Sequence, residues 1–445
     1  MMRILSLFCV ALLVTSCSKD VVSDDVQVDL DLKRLISTVS PTGNYRNFIL
    51  ASEDELDQIP QDIRNPLTPV KVELGKMLFF DTGLAMGAKF SEGRGTYSCA
   101  SCHIPEAGFR AGAPQGVADG GRGFGINGEG RVKFSQYEES DLDVQSARPL
   151  SLINVAHVTN TFWNGQFGGD GANIGTESVW DLRVDTERNN LGFQAIETQN
   201  IQGVETHRFE YDEELLQELG YIELFDESFP EIRDDQRYSS FTASLALSAY
   251  LRTINSSQAP FQLWLKGDND AMSRQEKEGA SLFFGKARCA NCHYEPNMGS
   301  TEFHALGVKD MYQRSSFDAS ANDRRNLGRA GFTLNSEDNY KFRVPPIYNM
   351  GDSPFYFHGA SKLTLEQVID YKIEAQSENP NISNSLLSEK FRPIDITEDE
   401  REALLQFLLK SLRDPNLVRF KPDAVPSGNC FPNNDYDSQI DLGCI

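Results

Sequence analysis

The chain is short of histidine and of positive charge. Its 445 residues include six histidines, and 65 aspartates and glutamates outnumber 42 lysines and arginines, which gives a formal net charge of −23. Nucleic-acid-binding proteins present a basic face, so this balance argues against a nucleic-acid partner. Histidine is the commonest metal ligand, so any transition-metal chemistry here depends on very few imidazoles.

Two patterns typical of other protein classes are also missing from the sequence. No alternating apolar and polar run of strand length occurs, which argues against a sheet-based fold. Beyond the N-terminus, no apolar run is long enough to cross a bilayer. Apolar residues recur instead at helical spacing, as in 72–80, 240–254 and 274–284, and Thr397 and Glu400 have the capping-box signature of a helix start. The sequence therefore predicts a mainly α protein with long loops.

The N-terminus has the pattern of an export signal. An apolar stretch at 4–14 follows a positive charge and is too short to span a bilayer. Residues 14–17, Val-Thr-Ser-Cys, resemble the lipobox of bacterial lipoproteins. We therefore expect a signal peptide at 1–16, lipid on Cys17 and an acidic tether over 17–45; the alternative is an ordinary secretory signal with a coincidental cysteine. The protein would face the periplasm and attach to a bacterial membrane through this lipid only.

Four of the eight cysteines lie in two copies of C-x-x-C-H, the attachment signature of c-type haem. Thiols three residues apart on a helix share a face, so both can reach the vinyl groups of one porphyrin, and the histidine can ligate the iron. A structural zinc site wants four ligands, whereas each copy offers three. Repetition argues against a redox dithiol or a chance match, so we predict two covalently bound c haems. Their residues are Cys99, Cys102 and His103 in the first copy, and Cys289, Cys292 and His293 in the second.

Two further cysteines, Cys430 and Cys444, lie close together in a polar tail at 429–445. Cys9 falls in the expected signal peptide and Cys17 is assigned to lipid. An even remainder in an exported protein suggests one disulfide between the two tail cysteines. The alternative is a pair of free thiols.

The chain repeats itself loosely around the two motifs. Similar short stretches recur in the same order in both halves. The matched pairs are 78–80 with 282–284, Asn154 and Trp163 with Asn349 and His358, and 195–197 with 364–366. Two tandem cytochrome-c-like units explain this pattern, and we place them at 46–265 and 266–428.

Seven segments of the chain match, in order, those of one protein family. They are LGKMLFFD (74–81), SCASCHIPEAGF (98–109), FWNGQ (162–166), LFFGKARCANCH (282–293), EFHALGV (302–308), FRVPPIYN (342–349) and YFHG (356–359). On these residues the chain resembles the bacterial di-haem cytochrome c peroxidase family, which also includes the di-haem enzyme that matures methylamine dehydrogenase. The resemblance implies a peroxidatic haem in the first unit and an electron-transfer haem in the second. Hydrogen peroxide would be the substrate, a small cytochrome c or a cupredoxin the electron donor, and a homodimer a candidate assembly.

The resemblance also implies roles for residues near the first haem. Family members place a glutamate for proton transfer downstream of a tryptophan segment, and Glu205 and His207 are the candidates here; the alternative for each is a solvated loop residue. Trp163 matches the tryptophan that relays electrons between the haems, although a buried tryptophan is ordinarily part of a core. Many members carry a distal histidine that leaves on activation, and residues 104–156 contain no histidine. We therefore expect the peroxidatic iron to be open without reductive activation.

For the second haem, the resemblance implies a sixth ligand in the helix after YFHG. Peroxidases of the family use a methionine there, and the relative that matures methylamine dehydrogenase uses a tyrosine. Counting from His358, the position falls on Lys372, with Tyr371 beside it, and Met350 is a further candidate. An oxygen or amine ligand in place of a thioether implies a lower reduction potential.

Family members also bind Ca²⁺ between their domains, so Ca²⁺ is a candidate ligand of this chain. Ser353 and Pro354 lie near the positions of the family's carbonyl ligands. The family's asparagine ligand, however, aligns with Arg148.

Three functions are compatible with the sequence. The first is a di-haem peroxidase. The second is a di-haem oxidase that acts on a protein or an organic molecule, which Tyr371 and Lys372 in place of methionine favour. The third is a non-enzymatic di-haem electron carrier. Iron coordination discriminates among them, because a carrier needs two six-coordinate irons, whereas an enzyme needs one open or openable position.

Overall fold

Helices and long loops make up the chain in this computed structural model, which describes residues 24–445. The predicted mainly α class is confirmed. The helices are α1 (Asp24–Val39), α2 (Pro69–Phe80), α3 (Val184–Glu187), α4 (Ala195–Thr206), α5 (Glu213–Leu219), α6 (Ile222–Ser228), α7 (Asp234–Arg237), α8 (Ser240–Thr253), α9 (Pro260–Lys266), α10 (Arg274–Phe284), α11 (Ala330–Thr333), α12 (Leu365–Glu374), α13 (Glu398–Gln406) and α14 (Tyr436–Asp441). Within residues 24–445, none of them has both the length and the apolar content that crossing a bilayer needs.

Strands are few and short in the described part of the chain. They form two antiparallel ribbons, in which β1 (Gly121–Arg122) pairs with β2 (Val132–Lys133), and β3 (Phe303–His304) pairs with β4 (Phe342–Arg343). Each ribbon belongs to a loop region that follows a C-x-x-C-H motif, so the strands shape loops and do not build a sheet core.

The principal helices begin where the sequence supplies a cap. Thr68 caps α2 by accepting a hydrogen bond from a backbone amide of the first turn. Ser273 and Glu276 form a capping box at the start of α10. The predicted box of Thr397 and Glu400 opens α13, and a π-helical turn continues that helix.

The same helix crossing builds both units. Helix α2 packs across α8 in the first unit, and α10 packs across α13 in the second. A Cβ on Gly75 would lie 1.9 Å from the carbonyl oxygen of Ala246, and a Cβ on Gly279 would lie 2.0 Å from that of Ala403. Each glycine precedes its Leu-Phe-Phe by the same spacing, so the repeat seen in the sequence is the repeat of this contact.

A second equivalence joins the loops to these helices. Asn154 and Asn349 both adopt left-handed backbone conformations, with φ of 58° and 52°. The Asn154 amide donates to the carbonyl of Ile254 at the end of α8, over 2.7 Å. The Asn349 amide donates to the carbonyl of Leu412, just beyond α13, over 2.9 Å. The two predicted units are therefore built alike.

The N-terminal segment differs from the expected tether once the described residues begin. From Asp24 the chain is helical, and Leu32 and Ile36 on α1 are buried in the core. Asp29 accepts a hydrogen bond from Trp264 at 2.7 Å and pairs with Lys277 at 2.8 Å. Apolar positions on one face of 24–39 and a buried ion pair fix this segment to the second unit, so a free tether through residue 45 is not what the structure has. The signal peptide at 1–16 and Cys17 lie outside the described residues.

The boundary between the units also differs from the expected one at residue 265, which falls inside α9. Phe261 on this helix contacts Phe284 of α10 at a ring distance of 6.0 Å and Phe407 at 5.5 Å. Helix α9 therefore packs with the second unit. The boundary lies between α8 and α9, near residues 254–259.

A side chain at the α10–α13 crossing should destabilise the protein. We expect Gly279→Ala to lower the free energy of unfolding by about 1–3 kcal/mol, the usual cost of overpacking a core. Gly203→Ala in α4 is the matched control, because its Cβ meets nothing nearer than the His207 ring at 3.9 Å. Alanine there should raise stability by about 1 kcal/mol through helix propensity. Denaturant unfolding measures both, and a Gly279→Ala protein as stable as wild type would contradict the expectation.

Candidate haem sites and the residues between them

Both C-x-x-C-H motifs form a single 3-10 turn, and the longer helix expected from the sequence is absent at these residues. The turns span Cys99–Ser101 and Cys289–Asn291, and each follows the Leu-Phe-Phe end of a crossing helix. The backbone amides of His103 and His293 donate to the carbonyls of Cys99 and Cys289, at 3.2 and 3.0 Å. This closure brings the thiols and the imidazole of each motif together, as haem attachment requires.

The two motif imidazoles are held in the form that binds iron. Nδ1 of His103 lies 3.1 Å from the carbonyl oxygen of Phe109, and Nδ1 of His293 lies 2.6 Å from that of Met298. Burial lowers the pKa of each imidazole to about 4, so both are neutral at neutral pH. A neutral imidazole that donates through Nδ1 to a carbonyl presents Nε2 as the free ligand atom.

A large cavity adjoins the second motif. Its volume is about 1150 Å³, including the open mouth. Its walls are mostly apolar, as a porphyrin needs. Motif residues, cationic side chains and aromatic side chains share the lining, which includes Cys292, His293, Lys372, Trp163, Arg110, Arg148, Arg343, Met350 and His358.

Three buried arginines of this lining carry charge without a carboxylate partner among residues 24–445. Arg110 donates to the carbonyls of Tyr348 and Asn349, and Arg343 donates to that of Phe162. Arg148 likewise bonds to backbone carbonyls. Buried charges need a counter-charge. The carboxylates of a haem would supply it, so the cavity fits the group that the motif implies.

Helix α12 presents Lys372, and not Tyr371, to this cavity. Lys372 lines it, and burial lowers the pKa of this amine to about 8. No carboxylate of residues 24–445 pairs with it. The Tyr371 hydroxyl donates to the Leu306 carbonyl over 2.6 Å, and its ring packs on Phe391. The orientation of α12 thus distinguishes Lys372 from Tyr371, although the two candidate ligands are adjacent in sequence.

Met350 also lines the cavity, but its thioether is engaged. Its Sδ accepts a hydrogen bond from the Arg110 guanidinium at 3.6 Å. Met350 also stands, next to Asn349, at the start of the turn that corresponds to Val155 in the first unit. Its position is therefore that of a loop residue packed between the units.

Near the first motif, His207 forms a pair with Asp143. Its Nδ1 lies 2.7 Å from the Asp143 carboxylate, and the Tyr97 hydroxyl donates to the His207 carbonyl at 3.0 Å. Burial raises the pKa of Cys99 and Cys102, and Asp143 is close enough to the motif to raise it further. Burial by itself would lower the pKa of His207, but Asp143 outweighs it, and the pKa lies above its ordinary value.

Glu205, the other candidate, lies elsewhere. It sits near the end of α4, is exposed, and pairs with Arg188 at 2.8 Å. The structure therefore brings His207 to the first motif and turns Glu205 to the surface.

In the internal repeat of the sequence, Gly203 of α4 is the counterpart of Lys372 in α12. When residues 195–197 are matched with 364–366, each of the two lies eight residues after the first residue of the match. The sequence carried this signal in its internal repeat. Gly203 and Asp143 were nevertheless missed, because a glycine and a lone aspartate in a loop carry no motif.

Trp163 stands at the junction of the units. It lines the second cavity, its indole Nε1 donates to the Arg148 carbonyl at 2.7 Å, and its ring lies 6.1 Å from that of His358. Its own carbonyl accepts from the Arg343 amide at 2.8 Å. Trp163, which belongs to the first unit, is thus held in place by residues of both units.

The polar tail returns to the first motif. Cys430 and Cys444 form a disulfide. Within the loop they close, the Pro432 carbonyl accepts hydrogen bonds from Ser98 and Ser101 at 2.9 and 3.2 Å. Asn433 donates to Ser101 as well, at 2.9 Å. The tail therefore covers the turn that carries Cys99 and Cys102.

The residues expected near Ca²⁺ do not fit a cation. The Ser353 hydroxyl accepts a hydrogen bond from the Arg148 guanidinium at 3.1 Å, and donates to the Phe355 carbonyl at 2.7 Å. The positive charge of Arg148 occupies the place where a metal ion would need oxygen ligands.

The fold and its paired motifs define a protein of two tandem cytochrome-c-like units. The model of the family described as di-haem cytochrome c peroxidase matches residues 69–270. This match confirms the resemblance found in the sequence. The chain is an oxidoreductase of the cytochrome c peroxidase type, and the match implies haem c as its cofactor.

Relatives and solved structures agree with this placement. The methylamine utilization protein MauG of Methylorubrum extorquens is 29% identical over 81% of this chain and 84% of its own. The cytochrome c551 peroxidase of Pseudomonas aeruginosa is 24% identical over 72% and 76%. The crystal structure of a MauG-like protein associated with microbial copper homeostasis superposes with a TM-score of 0.56 and 25% identity, over 81% of this chain and 94% of that one.

Proposed function

We propose that this chain is a di-haem peroxidase that reduces hydrogen peroxide to water with electrons from a small cytochrome c or cupredoxin. The asymmetry between the units carries the proposal. Lys372 of the second unit would serve as a sixth ligand, whereas its counterpart in the repeat of the first unit is Gly203, which has no ligand atom. A haem in the second unit would then serve electron transfer, and a haem in the first would leave a position for peroxide.

The bound haems supply electrons and, in the first unit, an open coordination position. Side chains of the protein itself donate the protons that the reaction needs. Asp143 outweighs the effect of burial and raises the pKa of His207, which favours the protonated imidazole. Reduction of peroxide consumes two protons and two electrons for two waters, and a protonated imidazole can deliver one proton to the departing oxygen. The Asp143 carboxylate keeps the imidazole oriented.

Electrons enter at the second unit and reach the first through Trp163. The indole lies against the second cavity and is fixed by hydrogen bonds at both its ring nitrogen and its carbonyl. A fixed aromatic ring between two redox centres shortens each electron step.

We also infer that the chain is exported and carries lipid on Cys17. The motivating features are the lipobox-like residues 14–17 and the tail disulfide, since disulfides persist in oxidising compartments. Mass spectrometry of the mature membrane-associated protein tests this, and a mature chain that still contains residues 1–16 would contradict it.

Turnover of hydrogen peroxide by the purified holoprotein tests the main proposal. With a reduced small cytochrome c as donor, we expect oxidation of two donor molecules for each peroxide consumed. The assay is run on fully oxidised and on half-reduced enzyme, because the fully oxidised form is active only if no reductive activation is needed. Absence of turnover in both states would overturn the proposal.

Removing the His207 imidazole should slow peroxide reduction selectively. We expect His207→Gln to lower kcat/KM by about 10²-fold, the lower range for loss of a general acid. In the wild type kcat/KM should fall as pH rises through the raised pKa of His207, since only the protonated form donates. Asp143→Asn should move this limb to lower pH. Glu214→Gln, an exposed change on α5, is the control, and an unchanged pH profile in His207→Gln would refute the assignment.

Replacing Lys372 should change the second haem alone. A neutral amine can ligate iron, and burial already favours the neutral form. We expect Lys372→Met to raise the reduction potential of one haem, because thioether ligation raises potential. Spectroelectrochemical titration and electron paramagnetic resonance measure the change. Tyr371→Phe is the control, because its hydroxyl bonds to the Leu306 carbonyl. Identical spectra for Lys372→Met and wild type would exclude Lys372 as ligand.

The second candidate function is oxidation of a protein or organic molecule with peroxide as oxidant. Lys372 in place of methionine favours it, and the relative MauG is named for methylamine utilization. This function differs from the first in its stoichiometry, because peroxide is then consumed without oxidation of a donor cytochrome.

A further inference from the structure

Arg148 lies beside Trp163 and links the first unit to the second. Its carbonyl accepts the Trp163 indole hydrogen bond at 2.7 Å. Its amide donates to the carbonyl of His358 at 2.8 Å. The backbone of this one residue therefore sets the indole relative to the second unit.

The guanidinium of Arg148 makes a second set of bridges. It donates to the carbonyls of Ala113 and Ala111, at 2.7 and 2.9 Å, in the loop after the first motif. It also donates to the Ser353 hydroxyl at 3.1 Å, in the second unit. The residue is 3% exposed, so these bonds are shielded from water. Three oxygens from both units thus surround one buried cation that the chain itself provides.

The surroundings of Arg148 exclude a further cation. Arg148 and Arg314 both lie over the ring of Phe355, at 5.4 and 5.2 Å. Arg110 is close enough to lower the pKa of Arg148, in addition to the larger effect of burial. A divalent ion would face this positive cluster with its oxygen ligands already bound. The junction therefore needs no metal ion to hold it.

We propose that Arg148 is the positioning residue of the interhaem path: its guanidinium ties the units together in place of a metal ion, and its backbone fixes Trp163. Arginine suits this role because its planar fork can donate to several oxygens at once. Because the guanidinium is a side chain of the protein itself, this link between the units does not depend on metal supply and is insensitive to chelators. The part concerning Trp163 rests on the relay proposed above, whereas the bridging part does not.

The first arm of the test uses metal removal. The thermal midpoint of the holoprotein and its rate of interhaem electron transfer, after rapid partial reduction, are measured with and without EDTA and with added Ca²⁺. We expect no change in either quantity. A fall with EDTA that Ca²⁺ restores would overturn the proposal.

The second arm uses variants. We expect Arg148→Gln to slow interhaem transfer by about tenfold or more, as small displacements at a reacting centre do, and to lower the thermal midpoint. Arg148→Lys should recover part of both, since it keeps the charge but not the fork. Arg233→Gln, which is exposed, is the matched control.

The outcomes separate the proposals. Interhaem transfer at the wild-type rate in Arg148→Gln would refute the positioning role. If that variant does not retain both haems, Arg148→Lys and the EDTA arm decide the question. Wild-type transfer in Trp163→Phe would refute the relay while leaving the bridge intact. None of these measurements depends on peroxide turnover, so failure of the proposed peroxidase activity is recognised independently.

Discussion

Two helix crossings that admit no side chain organise the molecule. At Gly75 and again at Gly279, the backbone of one helix touches a carbonyl of the other, and any larger residue would force them apart. This approach brings the Leu-Phe-Phe end of α2 and of α10 to a fixed place, and the C-x-x-C-H turn follows from there. The haem motifs are therefore positioned by the absence of a Cβ some distance before them, and the two sites are alike for the same reason.

The two sites differ in the helices that face the C-x-x-C-H motifs. Helices α4 and α12 correspond, yet one offers a glycine and the other a lysine with no anionic partner in the described chain. The two units thus share a framework for haem, and under the proposed function a single position on it distinguishes the two sites. The junction then connects the unequal sites through buried arginines, whose charges the carboxylates of a haem would balance.

Local signals predicted much of this arrangement. Short stretches of sequence were enough to predict the two motifs, the helix caps at Ser273 and Thr397, the internal repeat and the disulfide of the tail. The structure has the predicted caps and the predicted disulfide. Contacts between distant segments were not predictable. The pairing of His207 with Asp143, the packing of α1 on the second unit and the role of Arg148 join residues far apart in sequence. Tyr371 and Lys372 adjoin in sequence, and only the orientation of α12 distinguishes them.

The tail links one covalent bond to the surroundings of the first motif. Pro432 and Asn433 cover the turn of Cys99 and Cys102, although more than three hundred residues separate them in the chain. The disulfide between Cys430 and Cys444 closes the loop that carries these two residues. The redox state of this cysteine pair therefore bears on the surroundings of the first motif, since reduction would release the loop that covers it.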